Sequence, residues 1–156
     1  MVDPIPAGLE HRIIPYLMID GASAAIDFYV EAFGAVEDGR LSMPDGTIGH
    51  AAITVNGAPV YLADAPAEMP GDAGNPQRLG GTSVLLHLYV TDVDAAVARA
   101  TAAGATVLRP AEDQFYGDRA AVLADPFGHQ WSLHTRIREV SAEEMAAAVA
   151  EMPAPT

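Results

Sequence analysis

Apolar residues follow the same two patterns in each half of the chain. Short apolar runs, RIIPYLMID and SVLLHLYVTD, predict strands. Each run leads into a segment in which apolar side chains recur every three or four residues and so lie on one face of a helix. These residues are Ile26, Tyr29 and Phe33 in the first half, and Val93, Val97 and Ala100 in the second. The pattern predicts a strand followed by a helix in each half.

Residues with known preferences for helix ends flank these segments. Asp92 stands where an N-cap is needed before the second helix, and Gly34 and Gly104 follow the last apolar positions of the two helices. Ser141 and Glu144 match a capping box and predict a further helix near the C-terminus. Its apolar stripe, which we expect to pack on the domain or on a second subunit, consists of Met145, Val149 and Met152.

Two strand candidates joined by a turn follow each of the first two helices. In the first half, HAAITV and PVYLAD flank Asn56-Gly57, a strong hairpin signal. In the second half, RAAVLAD and QWSLHT flank Pro126-Phe127-Gly128. A short strand also fits after each helix, at Val36 to Leu41 and at Thr106 to Leu108. Each half is therefore predicted as β, α, β, β, β, which gives an α+β protein of two tandem modules.

The chain is expected to form one domain over residues 1–136, with a C-terminal helix and tail over 137–156. Within the domain we place module one at about 12–64, a linking loop at 65–82 and module two at about 83–136. The loop is rich in Pro, Gly and small polar residues and exceeds the usual length of a connection. It is either a functional segment, such as a lid, or a linker.

Composition narrows the possible functions. The 156 residues are 50% hydrophobic and 19% charged, and this is typical of a folded domain. A net charge of −13 repels phosphate backbones, so nucleic acid is not an expected partner. We interpret the charge first as a source of solubility, and attraction of a cationic ligand is the alternative. The chain has no Cys, which excludes disulfides, thiol nucleophiles and thiolate metal sites.

Targeting and membrane signals are not found in the sequence. No apolar run reaches the roughly 20 residues of a membrane helix. The start MVDPIPAGLEHR has neither the basic nor the apolar part of a signal peptide. We therefore expect a cytoplasmic protein that does not associate with membranes.

The two modules resemble the vicinal oxygen chelate superfamily, which includes glyoxalases, bleomycin-resistance proteins, fosfomycin-resistance enzymes and extradiol dioxygenases. The resemblance covers about residues 12–136. Within the superfamily, the chain is most similar to the branch of single-chain, two-module glyoxalase-like proteins. The resemblance implies that the sheets form a cup around a ligand. The stretches that carry it are AIDFYVEAFGA, MPDGTIGHAAITVNG, NPQRLGGTS and DQFYGDRAAVLADPFGHQWSLHT.

In members that use a metal, the resemblance implies one ligand on the first strand of each module and one on the last. The corresponding first-strand positions are Ile13 and Leu85, and the last-strand positions are Tyr61 and Ser132. Two of these have no donor atom and the other two are weak neutral oxygens, which is not a ligand set for Zn, Ni, Fe or Mn. We therefore expect no metal at the usual position and no other cofactor.

His87 and His50 are the candidate catalytic residues. Strand side chains alternate in direction, so His87 faces the same side as Leu85, while Leu86, Leu88 and Val90 pack under the helix. His50 is on a strand of the other half that could reach the same cavity. A neutral imidazole can transfer a proton next to a carbonyl. Each histidine could equally make only structural hydrogen bonds, and a displaced metal site of His50, His87 and Glu112 is a further alternative.

The segment EDQFYGDR, residues 112–119, could cover the mouth of the cavity. Phe115 and Tyr116 would then stack on a ligand and Arg119 would pair with an anionic group. The alternative is structural, with Gly117 making a turn and Asp118 forming a local ion pair with Arg119. For Tyr116 both interpretations stay open, and for Asp118 and Arg119 we favour the ion pair.

The last strand supplies further candidate ligand-binding residues. Trp131 has the alternation of a core residue, whereas Gln130, Ser132 and His134 have that of the cavity. Tyr61 and Tyr89 are expected to line the same cavity. The hairpin Asp125 to His129 is interpreted as setting the register of this strand.

These observations favour a metal-independent protein that binds a small organic molecule. The bleomycin-resistance proteins that it resembles sequester a drug between two subunits, which implies a homodimer and a possible role in antibiotic resistance. One alternative is a metal-independent isomerase or lyase with His87 as acid and base. Another is a glyoxalase-type metalloenzyme with relocated ligands.

Overall fold

The structure, a computed structural model, describes residues 4–10, 12–66 and 74–152. The first module consists of β1 (Tyr16–Ile19), α1 (Ala22–Phe33), β2 (Val36–Ser42), β3 (Ile48–Val55) and β4 (Ala58–Asp64). A short helix, α2 (Pro76–Leu79), lies in the connection. The second module consists of β5 (Leu85–Tyr89), α3 (Val93–Ala102), β6 (Thr106–Asp113), β7 (Asp118–Ala124) and β8 (Gln130–Arg136), and α4 (Ala142–Ala150) follows. The predicted α+β fold with two βαβββ modules is confirmed.

Each module forms a four-stranded mixed sheet, and the two sheets have the same topology. The strand orders are β1-β4-β3-β2 and β5-β8-β7-β6. The first strand of each module pairs in parallel with the last, and the remaining pairs are antiparallel. In this register His87 lies beside Ser132 on β8, and Tyr16 lies beside Tyr61 on β4.

Strand β6 is longer than the sequence predicted. The pattern ended it at Leu108, before Arg109 and Pro110, but the strand continues to Asp113. Its register against β7 shifts between Arg109 and Glu112. A proline fits within a strand at such an irregularity because the ladder bond that it cannot donate is already absent there.

The core lies between the two helices and the inner faces of both sheets. Helices α1 and α3 pack on each other, and one cluster of buried side chains includes residues of both modules. Trp131 is buried as predicted, with its ring 4.6 Å from that of Phe33 and 5.5 Å from that of Tyr29. These contacts join α1 of the first module to the last strand of the second.

The predicted ends of the helices are largely confirmed. Asp92 accepts a hydrogen bond from the Ala95 N–H, and Ser141 forms the capping box with Glu144. Gly34 ends α1 in the left-handed conformation at φ 67°. None of the α4 residues is buried, so its apolar stripe does not enter the domain core, and its packing on a second subunit stays a prediction.

Helix α1 obtains its N-terminal cap from a distant residue. Asp64, at the end of β4, accepts hydrogen bonds from the backbone N–H groups of Gly21 and Ala22 at 2.9 and 2.8 Å. Its second carboxylate oxygen accepts from the Ile48 N–H at 2.7 Å. A carboxylate at a helix N-terminus satisfies free donors and interacts favourably with the helix dipole. Nothing local in the sequence indicates this contact.

The connection between the modules is described in part. Asn75 caps α2 through its side-chain oxygen, and the Arg78 guanidinium donates to the carbonyl groups of Ala65 and Pro66. Residues 67–73 of the possible lid lie outside the described residues. Among the helices in the described parts of the chain, none has the length and apolar character needed to cross a membrane.

Candidate functional site

The face of each sheet opposite the core carries a cluster of aromatic and polar side chains. In the first module, Tyr16, His50 and Tyr61 lie together. The Tyr16 Oη and the His50 Nδ1 are 2.9 Å apart, and the His50 ring is 5.0 Å from that of Tyr61. Burial raises the pKa of Tyr16, so its hydroxyl stays protonated near neutral pH.

The second module contains a hydrogen-bonded chain of Ser132, His134 and Asp118, which we name the Ser132 relay. The Ser132 Oγ is 2.8 Å from the His134 Nε2, and the His134 Nδ1 is 3.0 Å from the Asp118 Oδ2. The Tyr89 hydroxyl donates to the same carboxylate oxygen at 2.8 Å. All three members of the relay are buried. Two adjacent strands position them, β7 through Asp118 and β8 through Ser132 and His134.

The direction of the protons in the Ser132 relay follows from the chemistry of its ends. An ionised carboxylate only accepts hydrogen bonds, so the His134 Nδ1 carries a proton and donates it to Asp118. In the neutral imidazole the Nε2 is then an acceptor, and the Ser132 hydroxyl donates to it. This is the tautomer in which a histidine can take a proton from a serine.

Two further rings contact His134. The His87 ring centroid is 4.0 Å away at an interplanar angle of 30°, and the Tyr116 ring is 6.3 Å away in a stacked arrangement. Burial, followed by the electrostatic effect of the neighbouring His134 ring, lowers the pKa of His87, against a smaller opposing effect of Asp118. The hydrogen bond to Asp118 raises the pKa of Tyr89, and burial raises that of Tyr116.

Two cavities adjoin these side chains. The larger, which we name the apolar cleft, has a volume of about 620 Å³. Strand β5, the β3–β4 turn and the segment that precedes β1 line it, with Ile13, Val60, Leu85, His87 and Trp131 among its residues. The smaller, the polar cavity, has a volume of about 310 Å³. Side chains with polar groups line it, namely Arg109, Glu112, Gln114, Tyr116, Ser132 and His134. Leu85 lines both.

The two candidate catalytic histidines, His50 and His87, lie in different clusters. His50 lies in the first-module cluster with Tyr16 and Tyr61, whereas His87 lies against His134 in the second module. Glu112 lines the polar cavity. The arrangement that would place His50, His87 and Glu112 on one metal is therefore not formed.

The side chains at the positions where the resemblance implies metal ligands do not fit a divalent metal. Ile13 and Leu85 have no donor atom, and the Ser132 hydroxyl is hydrogen-bonded to the His134 Nε2. Among the residues described, no three His, Asp or Glu side chains form a group of the kind that holds an ion. Metal sites in proteins need several such ligands at short distances.

The structure also places the other predicted site residues. Tyr89, Tyr116, Ser132 and His134 gather around Asp118, and Tyr61 lies in the other cluster. The ring of Phe115 contacts that of Tyr116 at 5.2 Å, outside the relay. Gln130, which is half-buried, pairs with Leu85 and shares the strand face of Ser132.

The expected ion pair between Asp118 and Arg119 is wrong. Asp118 faces His134 and Tyr89, while Arg119 pairs with Asp94 and Asp113 at 2.8 Å each. Consecutive residues of a strand point to opposite faces, so these two side chains cannot meet. Asp118 belongs to the candidate site although the sequence was not interpreted in this way. It is the first residue of β7, and strand alternation places it on the same face as Ala120, which pairs with His134.

Residues 11–133 match the sequence model of the Glyoxalase/Bleomycin resistance protein/Dioxygenase superfamily. The chain belongs to this superfamily. Over 148 residues it is 51% identical to an uncharacterized protein of Mycobacterium tuberculosis, with 94% of this chain and 87% of that one covered.

Solved structures of the superfamily are similar to this chain as well. TioX from Micromonospora sp. ML1 is 28% identical, with a TM-score of 0.61, and the alignment covers 83% of this chain and 99% of TioX. The fosfomycin resistance protein FosX from Listeria monocytogenes has a TM-score of 0.62 at 15% identity, over 86% of this chain and 97% of FosX. The second likeness concerns the fold alone.

Proposed function

We propose that this superfamily member binds a small organic molecule in the apolar cleft and does so without a metal at the superfamily's usual position. The cleft's volume of about 620 Å³ lies within the range of small-molecule sites, about 300–1,000 Å³. Its lining is mainly apolar, with His87 and Asn56 among the polar side chains. Such a site favours an apolar ligand that is oriented by few polar contacts.

The observation that carries the proposal is the nature of the side chains where metal-using members have ligands. Ile13 and Leu85 both line the apolar cleft, so the positions that would present donors to a metal present hydrocarbon instead. Ser132 is engaged with His134, and Tyr61 contacts Tyr16 and His50. The site therefore supports binding through apolar contact.

The proposal includes a cytoplasmic homodimer that sequesters a drug or metabolite. Its support is the exposure of large apolar side chains on the outer face of both sheets, including Tyr16, Leu85 and Tyr89. A second copy would cover such a surface. The net charge of −13 would attract a cationic ligand at long range. Sedimentation of the purified protein as a monomer at all concentrations would contradict the dimer.

The substitution Leu85→Arg tests the cleft. Trp131 is the one tryptophan of the chain and lines the apolar cleft, so energy transfer from it reports a bound dye. We expect the uncharged probe 1-N-phenylnaphthylamine to bind the unmodified protein and to bind Leu85→Arg about tenfold more weakly, or ~1.4 kcal/mol, because a charged side chain in an apolar cleft must be desolvated.

Leu108→Arg is the matched control. Leu108 is 46% exposed, against 48% for Leu85, and lies on β6 of the same sheet without lining either cavity. Its substitution adds the same charge and should leave dye affinity unchanged. Equal affinities for both variants would place the dye elsewhere and remove the support for the apolar cleft.

A second candidate function is acid–base catalysis by His87. His87 lines the apolar cleft, and burial together with nearby His134 lowers its pKa, so its imidazole is neutral at pH 7 and can accept a proton.

We expect NMR titration of His87 to give a midpoint below the ordinary value of about 6.5. Because the folded state binds this proton less tightly than the unfolded chain does, the residue's effect lowers stability as the pH falls below that value. A midpoint at or above it would contradict the neutral base.

A further inference from the structure

We propose that Ser132 is an activated nucleophile for small carboxylic esters that enter the polar cavity, with His134 as its base and Asp118 as the residue that positions His134. This activity goes beyond binding in the apolar cleft, because it uses a different cavity and different side chains. The observation behind it is the Ser132 relay and its position on the wall of that cavity.

The geometry of the Ser132 relay is that of an activated serine. Its two hydrogen bonds, at 2.8 and 3.0 Å, lie within the range required between a nucleophile, its base and the group that orients the base. Asp118 is an acceptor and so fixes the His134 tautomer that leaves Nε2 free to take the Ser132 proton. The recurrence of such groups on unrelated folds shows that they are recognised by geometry and not by sequence position.

Two adjacent strands position the members of the Ser132 relay. Ser132 and His134 are two residues apart on β8 and therefore project from the same face of the sheet. Asp118 is on the neighbouring strand β7, and the Tyr89 hydroxyl donates to the Asp118 oxygen that also contacts His134. His134 pairs with Ala120 across the strands, where the small side chain leaves room for the imidazole. Groups supported in this way need little reorganisation during a reaction.

The polar cavity supplies further groups that this chemistry needs. Its volume of about 310 Å³ suits a small ester. Arg109, Gln114 and Tyr116 line the same cavity and carry N–H or O–H donors. Donors in such a cavity stabilise the negative charge that develops on a carbonyl oxygen when a nucleophile attacks it.

In the proposed reaction the Ser132 Oγ forms a bond to the carbonyl carbon of the ester, and its proton passes to the His134 Nε2. The bond between that carbon and the alcohol oxygen then breaks, and the leaving alcohol takes the proton from Nε2. Water attacks the acyl-serine in the same way, giving up one proton to Nε2, which returns it to Ser132. The products are the free acid and the alcohol, and no oxidant, reductant or other reactant is needed.

The experiment is covalent labelling of the full chain with a fluorescent alkyl fluorophosphonate. Attack by Ser132 on phosphorus releases fluoride and leaves a stable phosphonyl-serine, which peptide mass spectrometry locates. We expect labelling at Ser132, no labelling in Ser132→Ala, and labelling about 100-fold slower in His134→Gln, in which the base is lost. Asp118→Asn is a second variant that should also react slowly, because the amide favours the wrong tautomer of His134.

The controls separate an activated serine from a merely accessible one. Ser42→Ala, which removes an exposed serine on β2, should label at the same rate as the unmodified protein, and heat-unfolded protein should label slowly. No labelling of Ser132, or labelling at equal rates in folded variants that retain and lack His134, would overturn the proposal. Binding of 1-N-phenylnaphthylamine is measured on the same samples, so failure of the nucleophile and failure of the apolar cleft are distinguished.

Discussion

Replacing Asp125 with alanine is expected to lower the free energy of unfolding by about 4 kcal/mol. The buried carboxylate accepts four hydrogen bonds and so joins the two modules. Its donors are the backbone N–H groups of Phe127 and His129, the Tyr29 hydroxyl and the Trp131 indole N–H, at distances of 3.0, 2.9, 2.8 and 3.0 Å.

The size of the effect follows from the donors that the substitution would leave behind. Tyr29 and Trp131 are almost fully buried, and neither the tyrosine hydroxyl nor the indole N–H would reach water without a local opening of the core. A buried donor without a partner costs about 1–3 kcal/mol. The hairpin N–H groups of Phe127 and His129 would lose their acceptor at the same time.

Urea unfolding followed by Trp131 fluorescence measures this effect. Asp113→Ala is the control, because Asp113 is an exposed partner of Arg119 and such a pair contributes about 0–1 kcal/mol. Asp125→Asn should fall between the two, since the amide retains one acceptor oxygen but presents N–H groups to the other donors. Similar unfolding midpoints for Asp125→Ala and Asp113→Ala would contradict the central position given to Asp125.

The role of Asp125 shows why local patterns predicted the fold better than its contacts. Apolar spacing and turn residues placed the strands and helices, because these signals act over a few residues. The DPFGH stretch forms the predicted hairpin between β7 and β8, and within it the Asp125 side chain accepts hydrogen bonds from the backbone N–H groups of Phe127 and His129. Its bond to Tyr29 spans the two modules and depends on how α1 packs, which no local pattern encodes.

The candidate site was predictable to the extent that strand alternation determines it. The period of two placed Ser132 and His134 on one face and Trp131 on the other, and the structure has them so. The separation of His50 from His87 depends instead on the relative position of the two sheets. The contact between Asp118 and His134 was missed because a neighbouring Arg119 offered a simpler partner in sequence.

Gly117, in the loop before β7, lies too close to the segment after β8 to carry a side chain. Gly117 has φ +96°, and a Cβ atom at this position would lie 2.5 Å from the Arg138 carbonyl oxygen and 2.8 Å from the Val140 Cγ2. Its own carbonyl accepts hydrogen bonds from the N–H groups of Ile137 and Arg138. The segment after β8 therefore packs closely against the Gly117 backbone. A side chain at position 117 could be accommodated only if this segment moved away.

We expect Gly117→Ala to cost about 3 kcal/mol or more in urea unfolding, because strain from the positive φ adds to the steric clash and to weakened hydrogen bonds. Gly46→Ala is the matched control: φ is +87°, but nothing lies within 4 Å of the added Cβ, so it should cost about 1 kcal/mol. Gly117 stands between Tyr116, which stacks on His134, and Asp118, so its substitution should also slow fluorophosphonate labelling of Ser132 in protein that remains folded. Equal costs for the two glycine variants would show that the segment around Arg138 yields easily, and the loop would then not hold Asp118 and Tyr116 in place.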